Sequence, residues 1–546
     1  MRALLIYPIF PKSFWSFEKA LALSGRKALL PPLGLITVAA ILPQTWEFRL
    51  VDRNVGEVSE ADWDWAEVVI LSAMLVQKED FLAQIQEAKR RGKQVAVGGP
   101  YPTALPHEAE ASGADFLVLD EGEITLPLFV EAIERGETQG IFRADGEKPN
   151  VEETPIPRFD LLDKTAYDMM ALQFSRGCPF QCEFCDIIVL YGRKPRTKTP
   201  QQLIAELDRL LELGFDQGIF LVDDNFIGNK RNVKLLLPEI KAWMQRNNYP
   251  YRFLTEASVD LAQDSQLMDM MVEANFFAVF LGIETPDESS LELTRKFQNT
   301  RDPLSESVNK ITRKGLRVMS GFIVGFDGEQ PGAGDRIVQF VEKTAIPVAM
   351  FSMLQALPNT ALWHRLEKEG RLLSNQAGNI NQTTLMNFIP TRPMEEIARE
   401  YVNGFWQLYD PQQFLDRIHR YYLMIGSESP TKNVKKSSES AKKVLDWTTF
   451  KALSLLLWKQ GILRKTRWTF WPYLFDIIRE NPKYWVDYVK MCGHLEHFYD
   501  YRQVVRHNIE AQLADFLEQQ LETQSNQINT ASPKEEESVE VGKSVA

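Results

Sequence analysis

Two blocks of strand–helix alternation constrain this chain more than any other feature. In the first, short apolar runs recur at 3–7 (ALLIY), 48–52 (FRLVD), 68–73 (VVILSA), 94–99 (QVAVGG) and 115–120 (DFLVLD), separated by helical stretches such as KEDFLAQIQEAKRRG. Continuous apolar runs mark strands buried on both faces, and the amphipathic stretches between them are the crossovers that a parallel sheet requires. The block predicts an α/β domain over 1–143, a doubly wound, Rossmann-like parallel sheet. A second block has six runs: 170–175, 218–223, 251–257, 277–284, 317–325 and 348–354. Six β/α units in one stretch predict a (β/α)6 partial TIM barrel over 164–394, with chemistry at the carboxyl ends of its strands. The proline- and charge-rich residues 144–163 read as a linker. Residues 395–522 carry helical patterning only, interrupted by the lysine- and serine-rich stretch 427–443. The polar, acidic residues 523–546 are predicted to be a disordered tail.

A chain of 546 residues with net charge −12 is too long for one core and has the wrong sign for a protein that works by gripping phosphates, so no nucleic-acid partner is expected. The N-terminus has an apolar run of only about seven residues before prolines intervene, which reads as a first strand and not a secretory signal. No stretch approaches the roughly 18 apolar residues of a membrane span. The expected compartment is the cytoplasm.

Three of the four cysteines fall within FSRGCPFQCEFCDIIVLYG, as Cys178, Cys182 and Cys185 in a C-x3-C-x2-C spacing just after the first strand of the second block. The fourth, Cys492, is far away and reads as a buried hydrophobe. Thiolates so spaced on one loop bind zinc or an iron–sulfur cluster. Structural zinc takes four ligands, usually in two knuckles, and only one knuckle is present. Three thiolates can instead hold three corners of a four-iron cluster and leave the fourth iron open, the arrangement of a catalytic metal site.

This motif, with an aromatic before its last cysteine, resembles the radical S-adenosylmethionine superfamily. The resemblance implies that Cys178, Cys182 and Cys185 ligate a [4Fe–4S] cluster whose open iron chelates S-adenosylmethionine, and that Phe184 lies by the adenine through its backbone. It makes Asp223, Asp224 and Asn225, in VDDNF, candidates for the methionine amine. Glu256, Ser258 and Glu284, at the ends of the third and fourth strands, become candidates for the ribose or the amine. Gly321 and Gly325, in GFIVGF, would allow close backbone approach to the adenine. Acids at strand ends are also ordinary helix caps, and glycines there ordinary turns.

A doubly wound domain ahead of such a barrel resembles the cobalamin-binding domain of one large subclass, whose fingerprint is D-x-H-x-x-G, then S-x-L, then G-G. Here no histidine follows the first strand, and Asn54 occupies the place in the second strand's loop where one would be looked for. Ser72, Gly98 and Gly99 match the later parts, and Glu121, Gly122, Glu123 and Thr125 resemble the loop near the cofactor's nucleotide tail. Without the histidine, cobalt should lack a protein imidazole. The alternative is a nucleotide-binding or purely structural domain.

The order of cobalamin domain, TPIPRFDLL linker, radical core and helical tail resembles the family that includes the hopanoid C-2 methylases. It implies a C-methyltransferase acting through a 5′-deoxyadenosyl radical on an unactivated carbon of a hydrophobic, polycyclic-lipid substrate. A low-potential electron donor of flavodoxin or ferredoxin type is implied with it. One stretch bears on this independently. Residues 450–478 interleave Trp458, Trp468, Phe470, Trp471 and Phe475 with Lys459, Arg464, Lys465 and Arg467. That pattern suits peripheral contact at the inner face of a membrane, and it equally suits packed helices with aromatics inside and cations outside. A radical cyclase in which cobalamin is not the methyl donor, and a non-enzymatic cofactor-binding regulator, stay open. A methylthio transferase would need a second cysteine trio, which the chain lacks.

Overall fold

A computed structural model describes residues 1–373, 381–430 and 447–531. The first sheet comprises β1 (Arg2–Tyr7), β2 (Glu47–Asp52), β3 (Val68–Ser72), β4 (Gln94–Gly98), β5 (Phe116–Val118) and β6 (Gly140–Phe142). Its order is β2-β1-β3-β4-β5-β6, and every pair is parallel. Alternate residues of β1 feed opposite faces. Leu4 and Ile6 join one buried cluster, whereas Ala3 and Leu5 join the other, as the two-residue period of a strand requires. The strand order reverses at β1 and β3, so the crevice beyond their carboxyl ends is the ligand position of this fold. The expected doubly wound domain is therefore present. It has one strand more than its apolar runs announce, because the three-residue β6 is too short to show a period.

The second sheet comprises β7 (Met169–Leu172), β10 (Gly218–Leu221), β11 (Phe253–Ala257), β12 (Phe276–Glu284), β13 (Arg317–Val324) and β14 (Val348–Met353). They pair in parallel in chain order. Each crossover is a helix with its apolar stripe on the sheet. Pro200–Glu212, for instance, starts in a Thr199/Gln202 capping box with Pro200 in its first turn and buries Leu203, Leu207 and Leu210. The run expected as one strand over 170–175 is split. It ends at Leu172 and resumes as β8 (Ser175–Arg176), which pairs antiparallel with β9 (Arg196–Thr197) and brackets the cysteine loop.

Two boundaries read from composition are not boundaries of packing. The helices Met394–Leu408 and Pro411–Met424, and those beyond, share one core with the barrel. Residues 144–163 form two short turns, with Phe159 buried and the Arg158 N–H donating to the Ile36 carbonyl at 3.0 Å. The loop after β1 also leaves the front domain. Phe14 is buried against Phe405, Tyr409, Phe498 and Tyr501 of the helical region. Its carbonyl accepts from His497 Nε2 at 2.9 Å, and its N–H donates to Gln382 at 3.1 Å. The helix Trp485–Ala531 runs past residue 523, where the sequence predicts disorder to begin. The remainder of that tail, and residues 431–443 of the lysine- and serine-rich stretch, lie outside the described residues. Among the described residues no helix is long and apolar enough to cross a membrane.

Candidate active site

The cysteine loop leaves β8 through Gly177, whose φ is +91° and whose added Cβ would lie 2.9 Å from the Gly192 carbonyl oxygen. Only glycine fits this entry. Two acids beyond β10 secure it. Asp223 accepts the N–H groups of Phe174 (2.8 Å) and Ser175 (2.9 Å) and the Ser175 hydroxyl (2.7 Å), and Asp224 accepts the Gly177 N–H at 2.7 Å. Both side chains thus hold backbone, the role that strand-end acids often take. Asn225 points its amide at Cys178 Sγ (3.9 Å) and Ser258 Oγ (3.1 Å), and its Oδ1 accepts the Ser258 N–H at 3.3 Å. A cleft of about 430 Å³ opens there, lined by Pro179, Phe180, Asn225, Ser258, Asp260 and Lys230 among others.

Glu256 sits behind these groups, and among the described residues nothing hydrogen-bonds or ion-pairs with it. Burial, then Asp224 and Asp223, push its carboxyl up to about 8. Burial also raises Asp223 to about 7 and Asp224 to about 6. This end of the barrel is a pocket of acids that are reluctant to ionise.

Cys182 is buried, and Cys178 and Cys185 are half-buried. Burial pushes the thiols of Cys178 and Cys185 up, so in the metal-free chain they hold their protons until a metal displaces them. Gln298 directs its amide at Cys182 Sγ, 3.7 Å away. Among the described residues no three His, Cys, Asp or Glu side chains are gathered to hold one metal ion. A four-iron cluster takes one thiolate per iron and needs no such convergence, so one loop bearing three thiols, with amide N–H groups aimed at two of the sulfurs, fits the cluster.

Opposite lies a segment that carries no recognisable motif. Lys296 is buried, ion-pairs with Glu284, and places its ammonium 5.7 Å from the centre of the Phe184 ring. Burial pulls this lysine down, but Glu284 and Cys182 outweigh it and the net shift is upward. Glu284 is itself held at φ +65°, where the β12–β13 register slips. Phe184 also packs against Phe326, ring centres 5.8 Å apart. Of the two glycines, Gly325 has φ +99° and an added Cβ would lie 2.8 Å from Met386 Cε, while Gly321 sits inside β13 between Phe280 and Met350.

In the front domain, Ser72, Gly98 and Gly99 meet at the carboxyl ends of β3 and β4. A Cβ on Gly98 would lie 2.6 Å from the Val118 carbonyl oxygen, and one on Gly99 would strike Ser72 Oγ. The side chains of Glu121 and Glu123, expected beside the nucleotide tail, are held by arginines of the small ribbon. Glu121 pairs with Arg176 (3.0 Å) and Arg196 (2.8 Å), and Glu123 with Arg176 (2.8 Å). Gly122 opens the helix Gly122–Glu134, and Thr125 is buried within it. Asn54 accepts the Phe10 N–H (2.9 Å) and donates to the Pro8 carbonyl (3.1 Å), so it shapes the loop after β1.

Residues 450–478 form part of Trp447–Trp458, a π-helical turn Lys459–Leu463, and part of Arg467–Glu480. Trp471 folds onto Gly461, its indole N–H donating to that carbonyl at 2.9 Å, and Phe470 is buried. Trp458, Leu463, Trp468 and Phe475 face outward, Trp468 being 77% exposed. Arg464 turns inward to Glu496 at 2.8 Å, whereas Lys465 stays exposed. The packed-core reading therefore holds for Phe470 and fails for the outward aromatics.

A doubly wound front sheet, a six-strand parallel barrel sheet and a cysteine trio on the loop after its first strand define a class: radical S-adenosylmethionine proteins with a front B12-binding domain. Family models agree, as the B12 binding domain over residues 21–130, the Radical SAM superfamily over 172–341, and a domain of unknown function over 360–511. The chain is 64% identical to an uncharacterized methyltransferase of Synechocystis sp., covering 95% of each chain. It is 34% identical to the hopanoid C-2 methylase of Rhodopseudomonas palustris, covering 86% of this chain and 88% of that one. The fold matches the cobalamin-dependent S-adenosylmethionine radical enzyme OxsB, solved with aqua-cobalamin and S-adenosylmethionine, at a TM-score of 0.56, 15% identity, and coverage of 94% of this chain and 84% of that one. The chain belongs to the cobalamin-dependent radical S-adenosylmethionine methyltransferase family that includes the hopanoid C-2 methylase. Its cofactors are a [4Fe–4S] cluster, S-adenosylmethionine and cobalamin.

Proposed function

We propose that this methyltransferase adds a methyl group to an unactivated carbon of a polycyclic lipid of the hopanoid kind, working from the cytoplasmic surface of a bilayer. The observation that carries the lipid reading is the outward face of residues 450–478, where Trp458, Leu463, Trp468 and Phe475 are exposed beside Lys465. Exposed aromatics among cations bind an anionic bilayer through buried apolar area and charge together. The name of the Rhodopseudomonas relative agrees with this reading.

Bound at their sites, the cluster, S-adenosylmethionine and cobalamin supply the radical that removes hydrogen and the methyl group that replaces it. The chain's residues bind and orient. Cys178, Cys182 and Cys185 hold the cluster, with Asn225 and Gln298 directing N–H groups at the sulfurs. Phe184 offers backbone to the adenine. Gly321 within the facing strand and Gly325 just past its end offer bare backbone to the adenine. Glu256, without a partner among the described residues and backed by Asp223 and Asp224, receives the methionine amine or the ribose hydroxyls, with Ser258 beside it. Glu284 takes part only through Lys296. Ser72, Gly98 and Gly99 line the cobalamin crevice, and Glu121, Gly122, Glu123 and Thr125 border it through their backbone. A donor of flavodoxin or ferredoxin type feeds the cluster.

The test is deletion of the gene in its host and comparison of polycyclic lipids by mass. Methylated species should vanish while their unmethylated parents remain. If another metabolite loses one methyl instead, the lipid reading fails and the reaction class stands. If a ring-closed product disappears, the reaction is a cyclisation.

A further inference from the structure

Residues 294–299 form a strap across the cysteine loop. The Thr294 carbonyl accepts the Glu183 N–H at 3.2 Å, Gln298 reaches Cys182 Sγ, and Asn299 Nδ2 donates to the carbonyls of Gly282 (3.0 Å) and Ile283 (2.9 Å). The strap therefore joins the middle of the C-x3-C-x2-C motif to the end of β12. Its central side chain is Lys296, a buried cation paired with Glu284. Room for that pair is made by Gly282, where an added Cβ would lie 2.6 Å from Glu284 Oε1 and 2.8 Å from Lys296 Nζ. A lysine is rarely buried without a task, and a buried charge acts on its neighbours with little screening from water.

We propose that Lys296 is the positioning cation of the cluster loop, setting the reduction potential of the cluster that Cys178, Cys182 and Cys185 hold. Glu284 is the counter-charge that fixes its place. The proposal rests on the cluster reading of these cysteines. One-electron reduction adds a negative charge to the cluster, and a fixed cation beside the loop favours the reduced form. Lys296 lies 5.7 Å from the ring of Phe184, one of the two residues between Cys182 and Cys185. Glu284, on the strand side of the pair, holds the ammonium in place and offsets part of its field.

The test compares anaerobically reconstituted full-length wild type with Lys296→Met, Lys296→Arg and Glu284→Gln. Iron content and the midpoint potential of the cluster are measured in each, the latter by redox titration followed by electron paramagnetic resonance. Lys296→Met should keep its iron and shift to a more negative midpoint, Lys296→Arg should lie near wild type, and Glu284→Gln should shift to a more positive one. Equal midpoints in Lys296→Met and wild type would overturn the proposal. Should Lys296→Met lose its iron, retention by Lys296→Arg supports a demand for charge, and loss from both overturns it in favour of simple packing. Wild-type protein that holds no cluster would refute the cluster reading itself, a separate result.

Discussion

Glu121, at the carboxyl end of the front sheet, and Arg176, two residues before Cys178, are joined by a 3.0 Å ion pair in which the Glu121 side chain is 3% exposed. Arg196 completes the pairing from the other strand of the small ribbon. The front domain is thereby fastened to the entrance of the cysteine loop. Arg176 would keep Glu123, but removing Glu121 strips Arg196 of its carboxylate, and a buried charge left without its partner costs about 3–5 kcal/mol. Glu121→Gln should lower stability by roughly that amount in chemical denaturation and increase proteolysis between the two sheets. A variant of wild-type stability would show that the clasp contributes nothing.

Replacing Cys178, Cys182 or Cys185 with Ala should abolish the visible absorption of reconstituted protein and all cleavage of S-adenosylmethionine. Cys492→Ala should preserve both, since that thiol is fully buried in the last helix. Full iron loading in the triple variant would refute the assignment.

Cobalamin should bind without a histidine ligand. The loop after β1 carries no histidine, and Asn54 is engaged with Phe10 and Pro8. The Co(II) form should show no hyperfine splitting from a histidine nitrogen. Asn54→Ala should leave that spectrum unchanged while costing about 1–3 kcal/mol of stability, because the Phe10 N–H loses its acceptor. A histidine-nitrogen signal lost with any one histidine would refute this.

The acid pocket makes a signed prediction for cofactor-free protein. Glu256 has an ordinary carboxyl pKa of 4.5 when unfolded and about 8 when folded. Between those values the folded state holds more protons, so stability is full below about pH 4.5 and falls as pH rises, by at most ~1.4 kcal/mol per pH unit. Asp223 and Asp224 act in the same direction. Glu256→Gln should therefore raise the Tm of the cofactor-free protein at pH 8 more than at pH 5, and weaken S-adenosylmethionine binding by equilibrium dialysis. An equal Tm change at both pH values would show that Glu256 ionises normally.

Full-length protein should float with anionic liposomes and release at high salt. Trp468→Ala with Phe475→Ala should weaken flotation and leave iron and cobalamin content intact, since both residues face outward. Trp471→Ala is the wrong probe, because Trp471 packs on Gly461. Unchanged flotation in the double variant would remove this face as the contact.

The strands of both sheets are legible because buried parallel strands announce themselves as apolar runs, and the cysteine trio because its spacing is rare. Lys296 is not legible. It lies in RKFQN, a stretch with no period, and matters only through Glu284 and Phe184, brought to it by folding. The arginine pairing of Glu121 and Glu123 is not legible for the same reason, since their partners Arg176 and Arg196 are more than fifty residues away. Asp223 looks like a ligand in sequence because a strand-end acid that holds backbone and one that holds a cofactor are the same residue at the same place.

Phe14 lies in the loop between β1 and the rest of the front sheet, yet its ring is enclosed by Phe405, Phe498 and Tyr501. The chain is consequently closed into a circuit, its opening residues clamped by its last helix. Dissection into modules would open that circuit at both ends. A front fragment expressed alone would carry an unshielded aromatic plug, and a core fragment lacking it would be left with an aromatic-lined socket. The two fragments should therefore recover full stability only when mixed, and the joints between the chain's activities cannot be located by truncation.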